Sequence, residues 1–161
     1  NMASTSELRN NNYTLTFDKI ADVAFTANDI PIPGMTLGES TIATRTLDFY
    51  IPSDKIVFDP ITITFNVDEN LENYLGVYNW MMELGHPNRS EVKRPSDSDA
   101  VSDAIITVLD NQKNPIYNMI LKDCFPTALA ELPMNVQASD PVVCTVTIRY
   151  SYFELINLLT A

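Results

Sequence analysis

From Ile61 to Val67 every odd position is apolar and every even position is Thr or Asn. Side chains alternate between the two faces of a strand, so this run is regular only as a half-buried β-strand. On a helix the same residues would scatter around the axis. The period recurs at both ends of the chain. Tyr13, Leu15 and Phe17 alternate with Thr14, Thr16 and Asp18. Near the C-terminus Cys144, Val146, Ile148, Tyr150 and Tyr152 alternate with Thr145, Thr147, Arg149 and Ser151, which predicts one long final strand. A chain patterned this way must fold as a mainly β protein with one buried side to its sheets.

The remaining segments fill in that frame. Asp22 to Ala27 is a second short strand. In Asn28 to Gly34, Pro31 and Pro33 forbid central sheet pairing, and Pro33-Gly34 marks a turn. Met35 to Tyr50 is extended and reads as a long strand or a β-hairpin, with Pro52-Ser53-Asp54 as a break after it. Ala104–Leu109 and Ile116–Leu121 are two strands joined by the turn-rich Asp110 to Pro115. Phe125 to Pro133 reads as a linking stretch. Residues 1–12 are polar and aperiodic, a flexible arm, and 86–102 form a polar loop.

One helix is expected, over about residues 69–84. Asp68 is placed as its N-cap, and Glu69 and Glu72 complement the dipole in its first turn. Leu71, Tyr74, Leu75, Tyr78, Met81 and Met82 form an apolar stripe, with Trp80 at its flank and Gly85 as the C′ residue. The expected fold is thus six or seven strands in a small β-barrel or sandwich with one α-helix, as a single domain over 13–161.

Composition narrows what such a domain does. Hydrophobic residues make up 45% of its 161 residues and charged residues 19%, below the roughly 25% of an ordinary soluble domain. That fits surface which other protein covers; it also fits a β-rich chain in which Thr and aromatic residues are simply frequent. The net charge is −11, and the 10 basic residues are scattered, which argues against gripping a phosphate backbone. Acidity of this kind keeps a protein soluble or makes a wall that repels nucleic acid. The N-terminus lacks a signal-peptide core and no apolar run reaches the ~20 residues of a membrane span. A soluble protein made in a cytoplasm is expected.

No residue pattern in the chain points to catalysis or metal binding. His86 is the only histidine, which rules out a multi-histidine metal site and leaves it a helix-end residue. Cys124 and Cys144 sit in apolar strand-like stretches and read as small buried hydrophobes, too few for a zinc site. Asp97 and Asp99 lie in a polar loop, and Glu69 and Glu72 are accounted for by the helix dipole. Asp110-Asn111-Gln112 lacks the glycine and terminal glutamate of a calcium loop. With 4 glycines in the chain no phosphate-cradling loop exists. No catalytic, cofactor-binding or metal residue is assigned, no cofactor is expected, and the chain reads as a non-enzyme. A sugar- or protein-binding β-module, with Tyr50, Tyr117 or Trp80 stacking on a ligand, is the alternative class.

In order, four stretches resemble the tail tube protein family of contractile-tailed bacteriophages, whose fold is shared with contractile injection systems. They are Arg9 to Phe17, a polar arm entering the first strand; Asp29 to Gly34; Phe58 to Glu69, a strand feeding the helix that carries Trp80; and Leu121 to Thr127, followed by the strand ending Tyr150 to Glu154. The resemblance implies hexameric rings that stack into a tube, with strands from each subunit closing a shared inner barrel. It implies partners in the sheath, baseplate or initiator and tail terminator, and a negatively charged lumen through which DNA passes unbound. The location implied is the virion tail, assembled in the host cytoplasm. The apolar tail Leu155 to Ala161 continues past the matched run, and Met35 to Tyr50 carries no motif of its own. A major tube subunit, a baseplate or initiator protein and a tube terminator all remain open at this point. The Thr-rich faces and the Met35–Tyr50 hairpin are the segments expected to form the inner barrel and the contacts between rings.

Overall fold

The computed structural model describes residues 13–20, 27–87, 100–110, 112–134 and 140–158. The expected arm at 1–12, most of the strand expected at 22–27 and most of the 86–102 loop, Asp97 and Asp99 included, lie outside them. Among the described residues nine strands run in the order β1 (Tyr13–Phe17), β2 (Ala27–Asp29), β3 (Met35–Ala43), β4 (Asp48–Phe58) and β5 (Ile61–Asn66). The helix α1 (Glu72–Gly85) follows, then β6 (Ser102–Leu109), β7 (Pro115–Leu129), β8 (Val143–Arg149) and β9 (Tyr152–Asn157). The fold is mainly β with one helix, as the alternation requires. Among the described residues the sheets do not close into a barrel.

The fifteen-residue β7 organises the body. Its first half pairs antiparallel with β6 on one side and β9 on the other, and β6 in turn carries β1. Its second half pairs with β8, which leads to β5 and β2. Between the halves the chain bends. Asp123 takes a left-handed φ of 52°, and register shifts fall between Ser102 and Ala104 on β6 and between Pro126 and Ala128 on β7. The segment read as a linker from Phe125 is therefore largely strand, because bulges let the chain turn without leaving the sheet.

The same corner divides the long C-terminal strand. Val143–Arg149 pairs with β5 and β7, the chain turns at Tyr150-Ser151, and Tyr152–Asn157 returns along the other half of β7. Inward alternation holds through Tyr150 and then breaks: Cys144, Val146, Ile148 and Tyr150 are buried, whereas Tyr152 is exposed. A two-residue period cannot report a switch from one sheet to another.

The core fills the space between the two halves. Leu15, Phe17, Ala104, Ile106, Met119 and Leu121 come from one, and Ile61, Ile63, Phe65, Cys144, Val146 and Ile148 from the other. Each large apolar side chain buried this way contributes about 1.5–3 kcal/mol. The body therefore has a core of its own.

Helix α1 meets this body on a face turned from the expected stripe, keeping Tyr74 and Met81 of it but centred on Val77 and Trp80. Asn73, Val77 and Trp80 are its buried residues, with Tyr74, Met81 and Leu84 beside them. Leu75 and Tyr78 are exposed. Nearly every side of this helix carries an apolar residue, so spacing alone underdetermines which side turns inward. Specific partners decide it. Trp80 stands edge-on to Phe17 at 5.6 Å and donates from Nε1 to the Ala100 carbonyl at 3.1 Å. Asn73 donates to the Asn66 carbonyl at 2.6 Å, and its Oδ1 accepts from the Tyr74 and Asp68 amides. Lys19 pairs with Glu83 at 2.7 Å and lies 5.9 Å from the Trp80 ring centre.

The helix start differs from the Asp68 cap for a local reason. Asp68 and Leu71 close a turn by a 2.9 Å backbone bond, and Leu71 adopts a left-handed φ of 58° with no side-chain cap. Helical geometry begins only at Glu72, so Asp68 lies too early to cap. Gly85 is the last helical residue and His86 the C-cap, with no left-handed glycine there.

Candidate assembly surface

Strands β3 and β4 stand apart from the rest. They pair with each other from Met35↔Phe58 to Ala43↔Asp48 and form a separate two-stranded sheet. The hairpin is longer than the expected Met35–Tyr50, because Pro52-Ser53-Asp54 does not end it. The register shift between Leu37 and Glu39 takes up the extra residues on β4, and proline is tolerated where its nitrogen faces no partner strand. Gly38 sits at this shift, and a Cβ there would lie in tight contact, 3.1 Å from that of Ser53. At the tip Thr44 and Leu47 bind each other reciprocally, with Thr44 Oγ1 donating to the Leu47 carbonyl and the Leu47 amide donating to Oγ1 at 3.1 Å.

Nothing among the described residues covers this arm. Every residue from 35 to 57 is exposed except Gly38 and Ser53, which are half-buried. Residues directly opposite on paired strands share a face, so Ile42 and Phe49 lie on one face and Thr41 and Tyr50 on the other. Leu47 is 60% and Tyr50 65% exposed. A lone two-stranded ribbon is marginal in water, and an apolar ribbon exposed on both faces is more so. Covering each of these large side chains is worth about 1–3 kcal/mol, which is ample to drive association.

The body has open surfaces of its own. β1 pairs only with β6, β9 only with β7 and β2 only with β5, leaving three strand edges without a described partner. Unpaired edges are templates for another chain. Between β1, β7 and β9 opens an apolar cleft of about 440 Å³, lined by residues including Tyr13, Ile30, Ile32, Tyr117, Met119 and Leu155. The Thr-rich outer face persists as well: Thr62 lies opposite Thr147 and Thr64 opposite Thr145, the latter pair 3.2 Å apart at their hydroxyls.

Among the described residues, those weighed for chemistry are not brought together. Cys124 and Cys144 are free and buried. Cys124 Sγ donates to the Ser102 carbonyl at 2.9 Å, and burial pushes its thiol up to about 12. Cys144 is likewise raised by burial. Both behave as small hydrophobes. Glu69 and Glu72 flank the start of α1 and His86 follows its end. Among the described residues no three His, Cys, Asp or Glu side chains gather as metal ligands, and no helix is long and apolar enough to cross a membrane. Of the aromatic residues suggested as stacking platforms, Trp80 is buried, while Tyr50 sits on the arm and Tyr117 in the cleft.

A β-body with open edges, one packed helix and a projecting hairpin can be compared with solved structures. The chain matches, with a TM-score of 0.72 over 96% of its length and 99% of the other, the sheath/tube terminator of an extracellular contractile injection system (PVC) in its extended state, at 12% identity. It matches the tube-terminating cap of the anti-feeding prophage with a TM-score of 0.69 over 98% of its length and 95% of the other, at 13% identity. These likenesses establish the fold. The chain belongs to the phage tail tube protein family, whose model spans residues 2–156. It is 31% identical over 140 residues to the tail tube terminator protein of Enterobacteria phage T4, covering 82% of this chain and 78% of that one. It is thus a bacteriophage tail protein of a structural family.

Proposed function

We propose that the chain is a structural, non-enzymatic subunit that assembles with copies of itself into a hexameric ring at the end of a phage tail tube, as its terminator. The observation that carries the assembly reading is the β3–β4 arm, apolar on both faces and uncovered within its own subunit. The open edges of β1, β2 and β9 support ring closure by pairing between neighbours. The place at the tube's end rests on the 31% identity to a tail tube terminator. Its partners are then its own copies, the last tube ring and the adjoining sheath. The net charge of −11 supports a ring whose lumen lets DNA pass during ejection without holding it. The work is done in the virion tail after assembly in the host cytoplasm.

Electron microscopy of the purified chain, alone and mixed with growing tail tubes, tests this. Single rings alone, and tubes that stop growing with one extra ring at the end, are the expected result. Long uniform tubes formed by the chain alone would instead make it the main tube subunit. A chain that stays monomeric and leaves tube growth untouched would refute both.

A further inference from the structure

Among the described residues the arm joins the body through a narrow neck. Gly34 and Asp59 are joined by a 3.0 Å bond from the Asp59 amide to the Gly34 carbonyl, just beyond the last arm pair, Met35↔Phe58. Proline flanks this neck on both strands, at Pro33 and Pro60, so neither strand can extend its ladder into the body through those nitrogens. The Asp59 carboxylate lies over Gly34, where a Cβ would come 2.7 Å from its Oδ2 and make the side chain swing aside. The two strands thus enter the arm as a pair and leave the body together, with β5 starting afresh at Ile61 in the other sheet.

Three rings sit against this neck. Phe58 closes β4 and stands edge-on to Phe153 at 5.3 Å, with Tyr150 6.1 Å from each. Tyr150 Oη donates to the Asp59 carbonyl at 2.6 Å, and burial raises that hydroxyl to about 12, so it remains a donor throughout the neutral range. Tyr150 belongs to the corner between β8 and β9, and Phe153 to the edge strand β9 itself. One side of the cluster belongs to the arm and the other to the body.

We propose that Phe58, Tyr150 and Phe153, with the Tyr150–Asp59 hydrogen bond, form a latch that fixes the direction of the β3–β4 arm, which otherwise turns as one piece about Gly34 and Asp59. The latch concerns the free subunit. Its use, presenting the arm at one angle to a neighbouring ring, rests on the proposed function. The three residues are positioning residues, since none of them needs to touch the neighbour.

The test is a distance measurement between spin labels at Thr46→Cys on the arm tip and Thr62→Cys on the body. The native thiols are buried and escape labelling. The parent gives a single narrow distance peak. Phe58→Ala, which removes the arm's own ring, loses that peak to a broad distribution. Tyr150→Phe, which keeps the ring and deletes only the hydroxyl, broadens it less and preserves the fold by far-ultraviolet circular dichroism. Should Phe58→Ala fail to fold, Tyr150→Phe decides alone. An unchanged narrow peak in the folded variants overturns the latch. A broadened peak with undiminished ring stacking on tubes leaves the latch standing and sinks the arm's role in assembly, so the two failures are distinguishable.

Discussion

At the scale of single residues, the positions that hold the body together are of two kinds. Leu15, Phe17, Ile61, Ile63 and Phe65 are buried where strand alternation puts them, and they were legible because a two-residue period states its own inward face. Trp80 and Asn73 were not legible. Their burial depends on carbonyls at Ala100 and Asn66 that only the folded chain supplies. Trp80→Phe removes the donor to the buried Ala100 carbonyl and part of the packing on Phe17. It should lower stability by about 1–3 kcal/mol in denaturant titration, while an exposed-residue effect near zero would show the bond to be idle. A charged pair adds a pH dependence. The Lys122 ammonium, 2.9 Å away, followed by the Asp123 amide, holds the Asp103 carboxyl below its ordinary 3.8. A carboxyl depressed in the folded state stabilises above its unfolded value and loses that contribution as pH falls through the folded one. Melting temperature should therefore fall below about pH 4 by less in Asp103→Asn than in the parent. Identical acid profiles would contradict the assignment.

At the scale of elements, runs that stay in one sheet were readable and those that change sheet were not. β1 and β5 came out as read. β7 and the β8–β9 pair did not, because bulges at Asp123 and the corner at Tyr150-Ser151 carry the chain between sheets without a break in apolar patterning. The arm was visible as extended chain, but Pro52 hid its true length. The apolar C-terminal run now has a definite place. β9 pairs with β7 from Tyr152↔Lys122 to Asn157↔Tyr117, and Leu155 lies opposite Met119. It belongs to its own subunit's sheet, although Leu155, Ile156 and Leu158 still expose much of their surface. Truncation after Glu154 therefore strips the outer half of this edge and uncovers Met119. Unfolding experiments should show a loss on the order of 2 kcal/mol, with impaired ring assembly on top of it. Unaltered stability would mean that β9 adds nothing to the body.

At the scale of the whole molecule, two parts with different self-sufficiency share one chain. The body has a core that joins both halves of the sheet and the helix. The arm has a ladder of backbone bonds and no core, with apolar side chains on both faces. This imbalance could not be read from composition, since 45% hydrophobic content says how much apolar surface exists and not how much of it the subunit covers. The imbalance is consistent with membership of a family of tail tube proteins.

Amide hydrogen exchange across β3 and β4, in the isolated chain and in rings bound to tail tubes, tests this most directly. The arm's ladder amides should exchange far faster than those of β5 and β8 when the chain is alone, and become protected to the level of the body on assembly. Arm amides that are as protected as the body's in the isolated chain, or that stay fast in the assembled ring, would contradict the account.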